Sequence, residues 1–403
     1  MRLGAKEVEK LCTLPDIAPM KRSTGSQKQL KLLKFDIIHP AAYLEEKKRQ
    51  WPDLANLSLA AYRDRLIALR SNYSDFYTYW LKQKGWQAEE FFLMDDDYLA
   101  KTAAHLYGSS TGLKKLQSRL KDKLRPKQRR WEEQVIRDYI EAFDPDVLFV
   151  RSQPLPSQFW QKYRGKRLLV ARLSARLPFH WHPNHWDLIY TDHPDFARFF
   201  ELHDVPTKLN DQGFDPRILS ELQDEGKTYD LTFVGGLGTQ NFRQRTEFFE
   251  QVAAKADFRW WGYWWEHGGK GRLTDFPNLK RTFQGPTSGL DMFQVYRNSR
   301  IVLNDYVDTA NGLGVNQRIY EILGTGSLML TREAPNFGEM FPGHLFATYK
   351  DLADCLSKVD YYLAHDKERE ELAAAGQGFI VGNYSYERIV GELDEVLRGM
   401  VTP

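Results

Sequence analysis

Cysteine is nearly absent from this chain. Cys12 and Cys355, two in 403 residues, make no disulfide framework and show no metal-ligand spacing, which fits a reducing compartment, most simply the cytosol. Long apolar runs are missing too: no stretch approaches the ~18 consecutive residues that a membrane-spanning helix needs. The start, residues 1–29, lacks the apolar region of a secretory signal. Excess charge of one sign is also lacking, since 56 Lys+Arg face 54 Asp+Glu for a net of +2. With no recognition motif beside that balance, nucleic acid is not an expected partner. What is abundant is material for a core, 42% hydrophobic and 14% aromatic residues, which excludes overall disorder. At roughly 150 residues per domain the length predicts two or three domains.

Residues 1–29 read as a polar tail. After them, short apolar runs alternate with amphipathic stretches. In the first half, Leu32 to His39, Ala88 to Met94, Asp146 to Val150, Leu168 to Ala171 and Asp187 to Tyr190 read as strands, several of them β-branched and continuous as in sheets buried on both faces. Leu59 to Arg70 and Phe76 to Lys84 read as helices, the second closed by Gly85. A second series follows, with strands expected at Leu231–Val234, Phe258–Trp261, Arg281–Phe283, Ile301–Leu303, Leu328–Leu330 and Leu345–Ala347. Helices are expected over 241–256, 288–298, 315–323 and 351–363. The expected fold is α/β: two Rossmann-like, doubly wound parallel-sheet domains facing a cleft, over 30–212 and 213–403. The last helix is a candidate to pack back on the N-terminal domain. Ligands bind outside the carboxyl ends of parallel strands, so chemistry is sought there.

Three segments stand at such ends. Phe233-Val234-Gly235-Gly236-Leu237-Gly238-Thr239, followed by Arg243 and Arg245, reads as a glycine-rich turn opening a helix. Its backbone N–H groups and the helix dipole suit an anion. It is neither GxGxxG nor a Walker motif, and the alternative is a plain tight turn with surface arginines. Asn304-Asp305 ends a strand, and Asn316 is an N-cap candidate for a helix that places Arg318 and Glu321 on one face. Arginine there pairs with phosphate, and the carboxylate accepts two hydrogen bonds from a ribose diol; the alternative is an exposed i,i+3 pair. Thr331 to Asn336 then lines the cleft from another strand end.

Other residues carry weaker signals. Asp75 at the start of a helix is a candidate base, or a cap together with Ser74. His180, His182, His185 and His193 cluster, but Pro183 breaks any regular ligand spacing and no carboxylate or cysteine completes a set. An aromatic loop lining the cleft and an ordinary polar loop are the remaining readings. Arg172 and Arg176 near that loop are candidates to contact an anionic acceptor. Within Trp260-Trp261-Gly262-Tyr263-Trp264-Trp265, Tyr263 sits where a base or sugar could stack. The basic, leucine-striped stretch 114–130 is either an amphipathic surface for anionic lipid or a core-facing helix with a solvated basic side.

From Tyr229 onward, Tyr229-Asp230-Leu231-Thr232-Phe233-Val234-Gly235-Gly236, Ser288 to Phe293, Asn316-Gln317-Arg318-Ile319-Tyr320-Glu321, Gly326 to Thr331 and Tyr361 to Gln377 together resemble the CgeB-like (spore maturation protein B-like) glycosyltransferases. These have the GT-B fold and a C-terminal domain of the glycosyl transferases group 1 type. The resemblance implies transfer of a sugar from a nucleotide-activated donor, held by the C-terminal domain, to a hydroxyl of a glycan, lipid-linked or protein acceptor held by the N-terminal domain. No metal or cofactor is implied. Glu321 corresponds to the second glutamate of an E-x7-E signature, whose first glutamate is replaced by Leu313. Gly236 stands where the arginine of a diphosphate-binding pair is expected, and Arg318 with Arg243 or Arg245 substitutes. The expected catalytic residues are Asp75, Arg318 and Glu321. Donor contacts are expected from Gly235, Gly236, Gly238, Thr239, Arg243, Arg245, Tyr263, Asn304, Asn316, Arg318 and Glu321. Acceptor contacts are expected from Tyr43, Tyr77, Arg172 and His180. A cytoplasmic enzyme, with peripheral contact to anionic membrane as an option, is the resulting expectation. A binding protein without transferase activity and a nucleotide-sugar epimerase of the same fold are the alternatives.

Overall fold

A computed structural model describes residues 29–108, 127–173, 181–209, 212–239, 242–266, 271–308, 312–314 and 316–401. The tail, most of the basic stretch and His180 lie outside them. The first half builds a parallel sheet in the order β2-β1-β3-β4-β5-β6. Its strands are β1 Lys31–Asp36, β2 Gln87–Phe92, β3 Val147–Val150, β4 Leu168–Arg172, β5 Leu188–Thr191 and β6 Thr207–Leu209. β3 and β4 are buried along their whole length, as their unbroken apolar runs require of strands covered on both faces. β6, short and with no fully buried residue, has no apolar signature in the sequence.

The second sheet has the order β11-β10-β9-β7-β8. It comprises β7 Tyr229–Gly238, β8 Phe258–Trp265, β9 Ser299–Asn304, β10 Leu328–Arg332 and β11 Ala347–Tyr349. The segment expected as a strand at Arg281–Phe283 is instead the end of a helix, Pro277–Thr282, with proline in its first turn. Proline at a helix start costs nothing because that N–H has no helical partner. Phe283 alone bridges to Trp260.

Each sheet reverses direction once: the chain runs from β1 to β2 on one side, then crosses to β3 on the other. It does the same from β7 to β8 and then to β9. Crevices at such switch points, outside the strand carboxyl ends, are where these sheets take ligands. The two halves are joined by more than the chain between them. The C-terminal helix Tyr386–Val401 returns to the first domain, where Trp86 Nε1 donates to Asp394 (2.6 Å) and Arg398 donates to Lys84 O (2.8 Å). One apolar cluster accordingly runs from Phe149 and Tyr77 through Tyr386 to Tyr320 and Phe341.

Candidate functional site

At the switch point of the second sheet the glycines do not form a turn. β7 continues through Gly235, Gly236 and Gly238, paired in register with β8 as far as Gly238 opposite Trp265. The reason is close packing. A side chain at 235 would strike the Arg318 guanidinium, one at 236 the Tyr263 ring, and one at 262 the Gly235 carbonyl. Gly262 also holds φ at 137°, which disfavours any residue with a Cβ. The expected anion cradle of N–H groups is engaged internally: the Gly238 N–H donates to Thr246 Oγ1 at 2.9 Å. The following helix, Arg243–Lys255, donates its first N–H to Asp308 at 2.9 Å.

The guanidiniums supply the positive charge instead. Asn316 caps the helix Gln317–Gly324, accepting from the Ile319 N–H, which sets Arg318 pointing back over β7. Arg318 donates through Nε to Val234 O (2.7 Å) and through Nη1 to Asn304 Oδ1 (3.0 Å) and Asp305 O (3.3 Å). It thus spans β7 and β9 across the switch point, with Nη2 against Gly235. Asn304, fully buried, also bonds Thr331 and Asn316, so it positions Arg318. Arg245 is buried and donates to the Asp305 and Gly236 carbonyls. Burial, then the neighbouring Arg318, lowers its pKa to about 9. Arg243 leaves the candidate set: its side chain is 70% exposed and pairs with Glu247 one helical turn away, because helix periodicity turns it from the face that carries Arg245. Thr239 packs against Gly271.

Glu321 is 9% exposed and accepts no hydrogen bond from the described residues. Burial raises its carboxyl to about 7 against the opposing pull of Arg318. Beside an arginine and with no donor from the described residues, the carboxyl is placed to accept from a ligand. Sequence reasoning placed Arg332 in the cleft-lining segment without giving it a role; its Nε and Nη2 grip Asp305 at 2.9 and 2.7 Å and fix the carbonyl shared by Arg245 and Arg318.

Across the cleft, the switch point of the first sheet holds Asp36, which accepts from Arg151 and Ser152, each at 2.6 Å. Beyond it stands His39, half-buried, its ring edge-on to Tyr263 with centroids 4.8 Å apart. Burial, then Arg151, holds the imidazole below its usual pKa. The sequence reading took His39 as the end of the first strand and gave it no role, whereas β1 ends at Asp36. Ser288 Oγ donates to the His39 carbonyl (2.9 Å) and meets Ser71 Oγ (2.7 Å), tying the two domains at this point.

Asp75, expected as a base, is bound by two guanidiniums: Arg70 at 2.7 Å and Arg217 at 2.9 Å. It makes no capping bond. Both of its carboxylate oxygens are taken by these guanidiniums, so the geometry gives Asp75 to the interdomain connection. Tyr43 and Tyr77 are both 2% exposed; they pack in the interior and are not on an open face. Arg172 is equally buried at the end of β4. His182 and His185 lie ring to ring, with His185 bonded to Ser157 Oγ, and His193 caps the helix Pro194–Glu201. Among the described residues no three His, Cys, Asp or Glu side chains converge as a metal-ligand set. No described helix is long and apolar enough to cross a membrane.

Residues 243–395 match a family described as glycosyl transferase-like. No curated protein matches the chain. Among solved structures, a glycosyltransferase from Rickettsia africae has a TM-score of 0.51 at 10% identity, covering 93% of this chain and 99% of that one. The T4 phage β-glucosyltransferase has a TM-score of 0.52 at 11% identity, covering 93% and 100%. HepE of Anabaena, solved in complex with UDP, has a TM-score of 0.50 at 12% identity, covering 92% and 100%. At these identities the likeness is one of fold. The chain has the GT-B fold.

Proposed function

We propose that this chain is a CgeB-like glycosyltransferase that moves a sugar from a nucleoside-diphosphate donor to a hydroxyl acceptor without a metal ion. The observation that carries the reading is Arg318, pinned by three hydrogen bonds between the carboxyl ends of β7 and β9, with the unengaged Glu321 carboxyl one turn on. A pyrophosphate on Arg318 would have its growing negative charge met by a preorganised donor, worth about 3 kcal/mol in comparable sites. The Arg245 guanidinium behind it adds field without a metal. Glu321 would accept from the ribose diol, and Tyr263 would flank the sugar. The fold likeness to a protein crystallised with UDP makes UDP-sugars the first donors to test.

The acceptor hydroxyl needs a base if configuration inverts. His39 fits that part better than Asp75: its imidazole is biased toward the neutral form, it stands at the first sheet's switch point, and it faces Tyr263 of the donor domain. A reducing, cytoplasmic setting, with the acceptor a glycan, lipid-linked or protein hydroxyl, completes the proposal.

Thermal shift against UDP-, GDP-, CMP- and dTDP-sugars in EDTA should single out one nucleotide class. Arg318→Ala should abolish that shift. His39→Gln should keep the shift and lower transfer by about 10²–10⁴-fold. If no nucleotide moves the melting temperature, the donor site is elsewhere or absent.

A further inference from the structure

The first domain contains a second polar centre that the donor reading does not use. Arg172, the last residue of β4, is 2% exposed. Its Nε and Nη2 are buried and donate to nothing among the described residues. The nearest carboxylate oxygen, on Asp192, is 3.9 Å from Nη2 and accepts instead from Gln212. Nε and Nη2 share one edge of the guanidinium, the edge that binds two oxygens of a carboxylate or phosphate side by side. Among the described residues, that bidentate edge is buried and makes no hydrogen bond.

Three phenols converge on the same place. The hydroxyls of Tyr77, Tyr190 and Tyr386 are buried without a hydrogen-bond partner among the described residues. Tyr77 and Tyr386 pack edge to face at 5.3 Å and both lie beside Tyr73. Arg172 feels Tyr73, Tyr77, Asp192 and Tyr386 electrostatically, and Tyr190 feels Tyr77 and Arg172. An unmade bond of this kind is costly, and buried polar atoms are normally satisfied. Buried donors left without acceptors around one arginine call for an acceptor-rich occupant. Arg151, 3.8 Å from the Tyr73 ring and only partly buried, links the cluster toward Asp36 and His39.

We propose that the carboxyl ends of β4 and β5, roofed by the start of the C-terminal helix at Tyr386, form a subsite for an anionic group on the acceptor, a carboxylate or a phosphate monoester. Arg172 grips it side-on, and the hydroxyls of Tyr77, Tyr190 and Tyr386 complete its shell. This rests on the glycosyl-transfer reading for the word acceptor, but the anion site itself does not. The C-terminal helix thereby contributes a residue to the first domain's binding site.

The test is calorimetry and thermal shift of the full chain with inorganic phosphate, glycerol phosphate and glucuronate, against glucose and glycerol at constant ionic strength. An anion should bind and stabilise while the neutral compounds do not. Glycerol phosphate outdoing glucuronate would assign a phosphate-bearing acceptor, and the reverse an acidic sugar; either supports the subsite. Arg172→Gln should abolish binding, and Arg318→Ala should leave it. Because Arg172→Gln could perturb folding, Tyr77→Phe and Tyr190→Phe remove only a hydroxyl. Each should weaken anion affinity about tenfold without lowering the melting temperature of the unliganded protein. No anion effect, an equal effect of glucose, or unchanged affinity in both tyrosine variants would overturn the proposal. An anion effect without any nucleotide effect would leave the subsite standing and remove the donor reading.

Discussion

At the scale of single residues, the proposed donor side is an imbalance of charge. Glu321 titrates near 7 when folded, against about 4.5 for a free glutamate. The folded state therefore holds the proton more tightly than the unfolded chain. The stability this carries is full below pH 4.5 and is lost as pH rises through 7. Glu321→Gln should accordingly stabilise the protein at pH 8 by about 1–3 kcal/mol and much less at pH 5, while weakening nucleotide binding at pH 8. Melting temperatures of both proteins at the two pH values check this, and an equal difference at both would contradict it. Arg318 and Glu321 were legible in the sequence because helix spacing puts them on one face. The fate of Asp75 was not: Arg217, which helps hold it, lies 142 residues along the chain, and local context offers only a cap or a base.

At the scale of elements, glycine has the opposite meaning from the one its sequence neighbourhood suggests. Three glycines in four residues read as a turn, yet β7 runs straight through them. Their lack of side chains makes room for Arg318, Tyr263 and the Trp265 carbonyl. Gly262 on β8 is the most constrained, with positive φ and the Gly235 carbonyl in the way of any Cβ. Gly262→Ala should cost about 1–3 kcal/mol, read from the urea midpoint, and should weaken nucleotide binding by moving Gly235 against Arg318. A variant with unchanged midpoint would mean that the strand pair yields more easily than its geometry indicates. The strands with continuous β-branched runs were legible to within a residue or two; β6 and the helix Pro277–Thr282 were not, the first for want of apolar residues, the second because the β-branched Thr282 and the following Phe283 resemble a strand.

At the scale of the molecule, the two sheets meet where small residues allow it. Ser288 and Ser71 bridge at the His39 carbonyl, Leu290 N–H donates to Leu69 O at 2.8 Å, and Lys47 pairs with Asp291. Gly289, with φ at 56°, sits between them, and a side chain there would strike the Leu69 carbonyl. Gly289→Val should force the domains apart. In small-angle scattering the radius of gyration should exceed that of the wild type, near ~21 Å for a compact chain of this length. Transfer should fall on the order of a hundredfold, with nucleotide binding retained. An unchanged radius would show that the latch does not set the closure.

The sequence alone determined the two parallel α/β sheets and the helix that carries Arg318 and Glu321. Those features rest on periodicity and strand ends, which are local. Tertiary structure decided which charges remain available: it engaged Arg243, Arg245 and Asp75 with partners, and left Glu321 and one edge of Arg172 buried without them. Which charges stay available depends on what lies beside each group in space, and residues distant along the chain, such as Arg217 and Tyr386, supply those neighbours.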